Sequence, residues 1–142
     1  MNVLVAYESR GGRTRRAAEA LGGAVRAQGS DVTIKALGDV TASDVAQCGA
    51  LAVGTWVEGF LVVGVGPAKA ALAGVARLPP LDGKRAVVFC TYGLNPRGTL
   101  ATLHRALEAK GATVVAESAS PRAHPERGVA ALAAQLAPPN AA

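Results

Sequence analysis

"VLVAYESRGGRTRRAAEAL" spans residues 3–21, and its reading decides the fold. An apolar run from Val3 to Tyr7 gives way to the polar, glycine-rich turn Ser9-Arg10-Gly11-Gly12-Arg13-Thr14, and a helical pattern begins at once. An unbroken apolar run suits a strand covered on both faces, as in a parallel sheet. The turn therefore stands where a buried strand hands over to a helix.

The same alternation recurs along the chain. Residues 2–7 read as a buried strand, and residues 13–28 as a helix with Ala17, Leu21, Ala24 and Val25 on one stripe, closed by Gly29. Residues 31–37 alternate as an edge strand does, and 49–55 are continuous and apolar. Residues 66–77 suit a helix with Pro67 near its start. A strong strand pattern at 85–92 precedes a helix over 98–110 with Leu100, Leu103 and Leu107 on its stripe. Residues 112–118 make a fifth strand, and 125–137 a last helix. Pro138-Pro139 then ends order, so 1–137 are expected as a single domain and 138–142 as a frayed tail. Such alternation predicts a three-layer α/β sandwich, doubly wound around a five-stranded, mainly parallel sheet. Ligands of such sheets sit beyond the carboxyl ends of the strands, where the strand order reverses. The turn at 9–14 lies at such an end, as do the turns after Thr55 and Cys90.

Composition narrows the function. Among the 142 residues no apolar run approaches the roughly 20 needed to span a membrane. Met1-Asn2 offers no basic leader, so a cytoplasmic location is expected. Cys48 and Cys90 have no metal-ligand spacing and are expected as reduced thiols. The net charge is +5, yet arginines cluster only at 10, 13, 15 and 16 and aromatics make up 4% of the chain. A solvated basic face is expected rather than a nucleic-acid site.

The opening turn carries the chemistry. A helix N-terminus presents unpaired N–H groups and the positive end of a dipole, and glycines let an anion approach the backbone. "SRGGRT" supplies these features without the spacing of a P-loop, and no GxGxxG fingerprint occurs. The same residues also suit a plain strand–helix turn capped by Ser9 or Thr14.

"VLVAYESRGGRTRRAAEAL" resembles the first βα unit of the flavodoxin family, whose phosphate loop has the form Ser/Thr-x-Thr-Gly-x-Thr. Ser9, Gly12 and Thr14 match; Gly11 stands in place of the usual hydroxyl residue and Arg13 where Asn is common. The resemblance implies a sheet of order 2-1-3-4-5 with FMN at the switch between the first and third strands. It further implies that Ser9, Arg10, Gly11, Gly12, Arg13 and Thr14 hold the FMN phosphate. "VGTWVEGF" (53–60) corresponds to a flavin-flanking loop, with Thr55, Trp56, Val57, Glu58 and Gly59 on one side of the ring and Trp56 stacking on it. In that family a peptide of this loop can turn to accept the flavin N5 proton; Val57 stands where many members have glycine, and because a β-branched residue resists positive φ, any such turn is expected at Glu58-Gly59. "FCTYGLNPRGTL" (89–100) corresponds to the second flavin loop, with Thr91, Tyr92 and Gly93 as contacts.

His104 and His124 read as surface residues and Cys90 as a buried strand residue, so no catalytic side chain is assigned, and redox chemistry is left to the cofactor. The family resemblance implies an electron carrier working with redox partner proteins. A flavodoxin-fold FMN-dependent reductase or oxidase, of quinone or protoporphyrinogen type, is the alternative, as is a flavin-free binding subunit. "FLVVGVG" (60–66) is too apolar for an open loop and is expected to form a protein interface. Flavodoxin carriers are typically acidic and this chain is basic, so its partner surface should differ.

Overall fold

The computed structural model describes residues 1–60 and 63–136. Its parallel strands are β1 (Asn2–Glu8), β2 (Asp31–Ala36), β3 (Ala50–Phe60), β5 (Arg85–Tyr92) and β6 (Thr113–Pro121), in the order β2-β1-β3-β5-β6. This is the expected 2-1-3-4-5 arrangement counted over the parallel strands. A further strand, β4 (Val63–Pro67), pairs antiparallel with the far end of β3. Helices α1 (Arg13–Ala27), α2 (Ala42–Gln47), α3 (Lys69–Ala76), α4 (Thr99–Ala109) and α5 (Ala133–Leu136) fill the connections.

Successive strand side chains point to opposite faces, and here both sets are apolar. Leu4, Leu51, Val53 and Val88 face one core with Val75 of α3 and Leu103 and Leu107 of α4. Val3, Val5, Ala52, Val87 and Phe89 face the other, with Leu21 and Val25 of α1 and Leu136 of α5. Burial on both faces is why the central strands read as continuous runs.

Local chemistry moves several boundaries. The short α2 was not legible as a periodic pattern, but its start was. Thr41 and Asp44 form a capping box: Thr41 Oγ1 accepts from the Asp44 N–H (3.1 Å), and Asp44 Oδ2 accepts from the Thr41 N–H (2.8 Å). Lys35 Nζ also donates to Asp44 Oδ2, at 2.8 Å, and holds that carboxyl below its ordinary range. Pro67 closes β4 instead of opening a helix, and α3 starts at Lys69. The last helix, expected over 125–137, is a 3-10 turn at Val129–Leu132 running into α5. Gly128, with φ of 77°, sets a left-handed residue where that helix would have continued backwards. The segment 60–66 was expected as a loop; on its described residues it forms the rising and returning ends of a β-ribbon. Leu61, Val62 and the expected tail at 138–142 lie outside the described residues. Among the described residues no helix is long and apolar enough to cross a membrane.

Gly54 is required by close approach. It pairs with Phe89 across β3 and β5, and a Cβ at Gly54 would overlap the buried Phe89 ring. Gly54→Ala is expected to cost about 1–3 kcal/mol, the usual penalty of overpacking. A urea titration followed by circular dichroism should show the midpoint fall; an unchanged midpoint would mean that the ring moves aside freely.

Candidate functional site

Register gathers the loops. Glu8 of β1 pairs with Thr55 of β3, Thr55 with Cys90 of β5, and Cys90 with Ala119 of β6. The turns that follow these strands therefore open on one edge of the sheet. The chain leaves β1 for β2 on one side and returns to β3 on the other, so strand order reverses between β1 and β3. A cleft of about 760 Å³ lies on this edge.

The turn after β1 forms one wall. Gly11 and Gly12 have φ of 78° and 90°, and Gly12, left-handed, precedes the first helical residue of α1. A left-handed residue next to a helical one turns successive amides to one side. Ser9 Oγ accepts the Arg15 N–H at 3.3 Å, and the Arg16 N–H reaches the Gly12 carbonyl at 3.0 Å. The amides before these have no intrahelical acceptor and point out of the helix end. A Cβ at Gly12 would meet nothing within 4 Å, so its conformation, not crowding, selects glycine. From this turn Arg10, Gly11 and Arg13 line the cleft.

Thr14 is placed differently. It is fully buried, and its Oγ1 lies 2.8 Å from Thr91 Oγ1, tying the first turn to the end of β5 beneath the cleft. Ser9, Gly12, Thr14 and Thr55 are not among the lining residues. Thr55 Oγ1 donates to the Trp56 carbonyl (2.8 Å) and accepts the Ala68 N–H (3.1 Å), which anchors the entry to α3.

The ribbon forms the second wall. Trp56, Val57, Glu58 and Gly59 line it from β3 and Gly64 from β4. Trp56 Nε1 is buried without a hydrogen-bond partner among the described residues. The Arg10 guanidinium sits over the indole, 5.4 Å from its centroid. Val57 is extended and pairs with Pro67, whereas the register shifts between Glu58 and Phe60. Gly59 takes φ of 109° there, so the left-handed residue of this segment is a glycine and not the β-branched Val57.

Thr91, Tyr92 and Gly93 line the third wall. Arg122, just past β6, donates its N–H to the Tyr92 carbonyl at 2.7 Å and lays its guanidinium beside Gly93. Lys69, the first residue of α3, completes the lining. Sequence reasoning missed Gly64, Lys69 and Arg122. Lys69 carried one signal: a cation at a helix start opposes the dipole and invites an anion. The first turns of α1 and α3 contain no acidic residue.

The cysteines stand apart from this chemistry. Burial pushes the Cys90 thiol up to about 12, with Glu117 adding to it, and burial also raises Cys48. His104 sits on α4 with Nε2 3.2 Å from Glu108 Oε1. Among the described residues no group of His, Cys, Asp or Glu could hold a metal ion.

Solved structures place this architecture. A two-electron reduced Megasphaera elsdenii flavodoxin aligns at TM-score 0.77 and 26% identity, over 94% of this chain and 98% of that one. The chain has the flavodoxin-like fold. The Streptococcus pneumonia TIGR4 flavodoxin aligns at 0.75 with 21% identity, over 96% of this chain and 97% of that one. The rubredoxin oxygen:oxidoreductase of Desulfovibrio gigas aligns at 0.73 with 19% identity, over 95% of this chain but 35% of that larger protein. No family model and no curated protein matches the sequence.

Within this flavodoxin fold Cys90 should be inert. Its folded thiol titrates far above the ordinary value of about 8.5, so at pH 8 the thiolate is scarce as well as shielded. A disulfide dye at pH 8 is expected to leave Cys90 unmodified in the native protein and to label it in denaturant. Rapid native labelling would show that β5 opens at its carboxyl end.

Proposed function

We propose that the chain is an FMN-binding electron-transfer protein of the flavodoxin type. One observation carries the reading: the cleft at the β1/β3 reversal joins an anion-binding turn to an aromatic wall. Its volume, about 760 Å³, lies within the range of about 300–1,000 Å³ common for small-molecule sites.

The residues present fit FMN. The amides opening α1 and the Arg13 guanidinium supply donors and positive charge for a phosphate dianion. Trp56 offers a flat apolar face beside the hairpin, and the Thr91–Gly93 segment offers backbone groups to the polar edge of a ring. Arg10 would leave or share the indole face as a ring enters. Thr14, Thr55 and Ser9 hold the walls in place through the bonds described above, acting through their neighbours. FMN bound here would supply reversible electron transfer at the exposed mouth of the cleft. The similarity of the whole chain to flavodoxins supports the same reading.

The direct test is a visible spectrum of the protein after mixing with FMN and removing the excess by gel filtration. A retained flavin spectrum is expected; a colourless protein would end the proposal. Trp56→Ala should then weaken FMN about two- to tenfold, from a stacking term of about 0.5–1.5 kcal/mol. Arg13→Ala should weaken FMN roughly ten- to hundredfold while leaving riboflavin affinity unchanged, since only FMN carries the charged acceptor. Equal losses for both ligands would move Arg13 away from the phosphate.

A further inference from the structure

The charge around the cleft exceeds what one phosphate requires. Arg10, Arg13, Lys69 and Arg122 line it, all exposed, from the β1 turn, the start of α3 and the end of β6. None has a carboxylate partner among the described residues. Glu58 is the sole carboxylate among the lining residues. A phosphate at the opening turn would be held by the Arg13 side, leaving Lys69 and Arg122 uncompensated.

Beside the cleft lies a shallower hollow of about 290 Å³. The two share Val57, Glu58, Gly59, Gly93 and Arg122, and the hollow runs out to Val65, Asn95 and Leu94. Leu94 is 78% exposed, more than any other large hydrophobic side chain described. An exposed apolar residue bordering polar and charged groups is a common feature of protein–protein contacts. A small one of this kind suits transient exchange.

We propose that the mouth of the cleft is the docking surface for a redox protein whose own redox centre is ringed by acidic side chains. Leu94 makes the apolar contact beside the cleft, while Lys69 and Arg122 steer and orient the partner. The inference rests on the flavin reading, because an electron must cross at the cleft mouth. In each exchange one electron leaves the partner's reduced centre and enters the bound flavin.

The probe is an acidic plant-type [2Fe–2S] ferredoxin, reduced beforehand and mixed with the FMN-loaded protein in a stopped-flow instrument. The bimolecular rate constant should fall tenfold or more between 10 mM and 500 mM salt. Lys69→Glu with Arg122→Glu should lower the low-salt rate at least tenfold and flatten its salt dependence. Arg26→Glu with Arg77→Glu makes the same change in net charge at the helix ends remote from the cleft, and should change the rate less than about threefold. Leu94→Ala should lower the rate even at high salt, where the charges are screened. FMN retention is read from the spectrum of every variant.

Equal losses for the rim and remote pairs, or a rate indifferent to salt, would overturn the docking surface. Retention on immobilised ferredoxin, lost when Lys69 and Arg122 are reversed, separates the two readings. A chain that holds no FMN but is retained in this way sinks the flavin reading and supports the surface. A chain that holds FMN but exchanges without regard to those residues sinks the surface alone.

Discussion

Parallel strands can be joined only by crossovers, and a crossover helix starts at the edge where its strand ends. The register of β1, β3 and β5 aligns those ends, so the starts of α1, α3 and α4 collect at one edge of the sheet. Each start brings unpaired amides and the positive end of a dipole. An anion site is therefore a consequence of the topology, and the sequence decides how strongly it is expressed.

Here the sequence leaves that positive end uncompensated at three helix starts. The first turns of α1, α3 and α4 contain no acidic residue, though an Asp or Glu there would favour each helix by about 0.3–1 kcal/mol. Cations instead stand at Arg13 and Lys69, which line the cleft together with Arg10 and Arg122. Their mutual repulsion is softened by water and by salt, whose screening length is about 8 Å at physiological strength. Arg10 is further accommodated by the indole of Trp56. The α2 start shows the opposite choice: Asp44 lies in its first turn and is pinned by Lys35. Away from the cleft, helix starts can be completed within the chain.

The layout of the sheet was legible because burial on both faces imposes a continuous apolar run, as at Val3–Ala6 and Ala86–Cys90. The antiparallel ribbon was not. Its pairing depends on a bulge at Gly59, where a Cβ would meet the Gly64 backbone at 2.6 Å, and such a backbone contact between two glycines has no periodic signature. The cleft-lining role of Arg122 arises from register: Tyr92 pairs with Pro121, so the next residue must arrive beside Gly93. A residue's distance from a site across a sheet is set by pairing, which a single sequence does not display.

The opening turn departs from the family form at Gly11 and Arg13, and the geometry gives both departures one reason. Thr14, which matches that form, spends its hydroxyl on Thr91 beneath the cleft, so hydroxyl donors at the surface of this turn are few. Two consecutive left-handed residues follow Arg10, and at Gly11 a hydroxyl residue would have to hold φ of 78°, which an L side chain rarely adopts. Glycine there removes a hydroxyl donor but opens the backbone; Arg13 adds a guanidinium whose Nη1 already lies 3.7 Å from where a Gly11 Cβ would stand. A neutral donor has been exchanged for a cation in the same place. Charge-assisted bonds are roughly twice as strong as neutral ones, so the exchange favours a doubly charged ligand and adds to the positive field at the cleft mouth. If the turn takes the phosphate proposed above, the guanidinium that holds it also sets the sign of the surface presented to a partner.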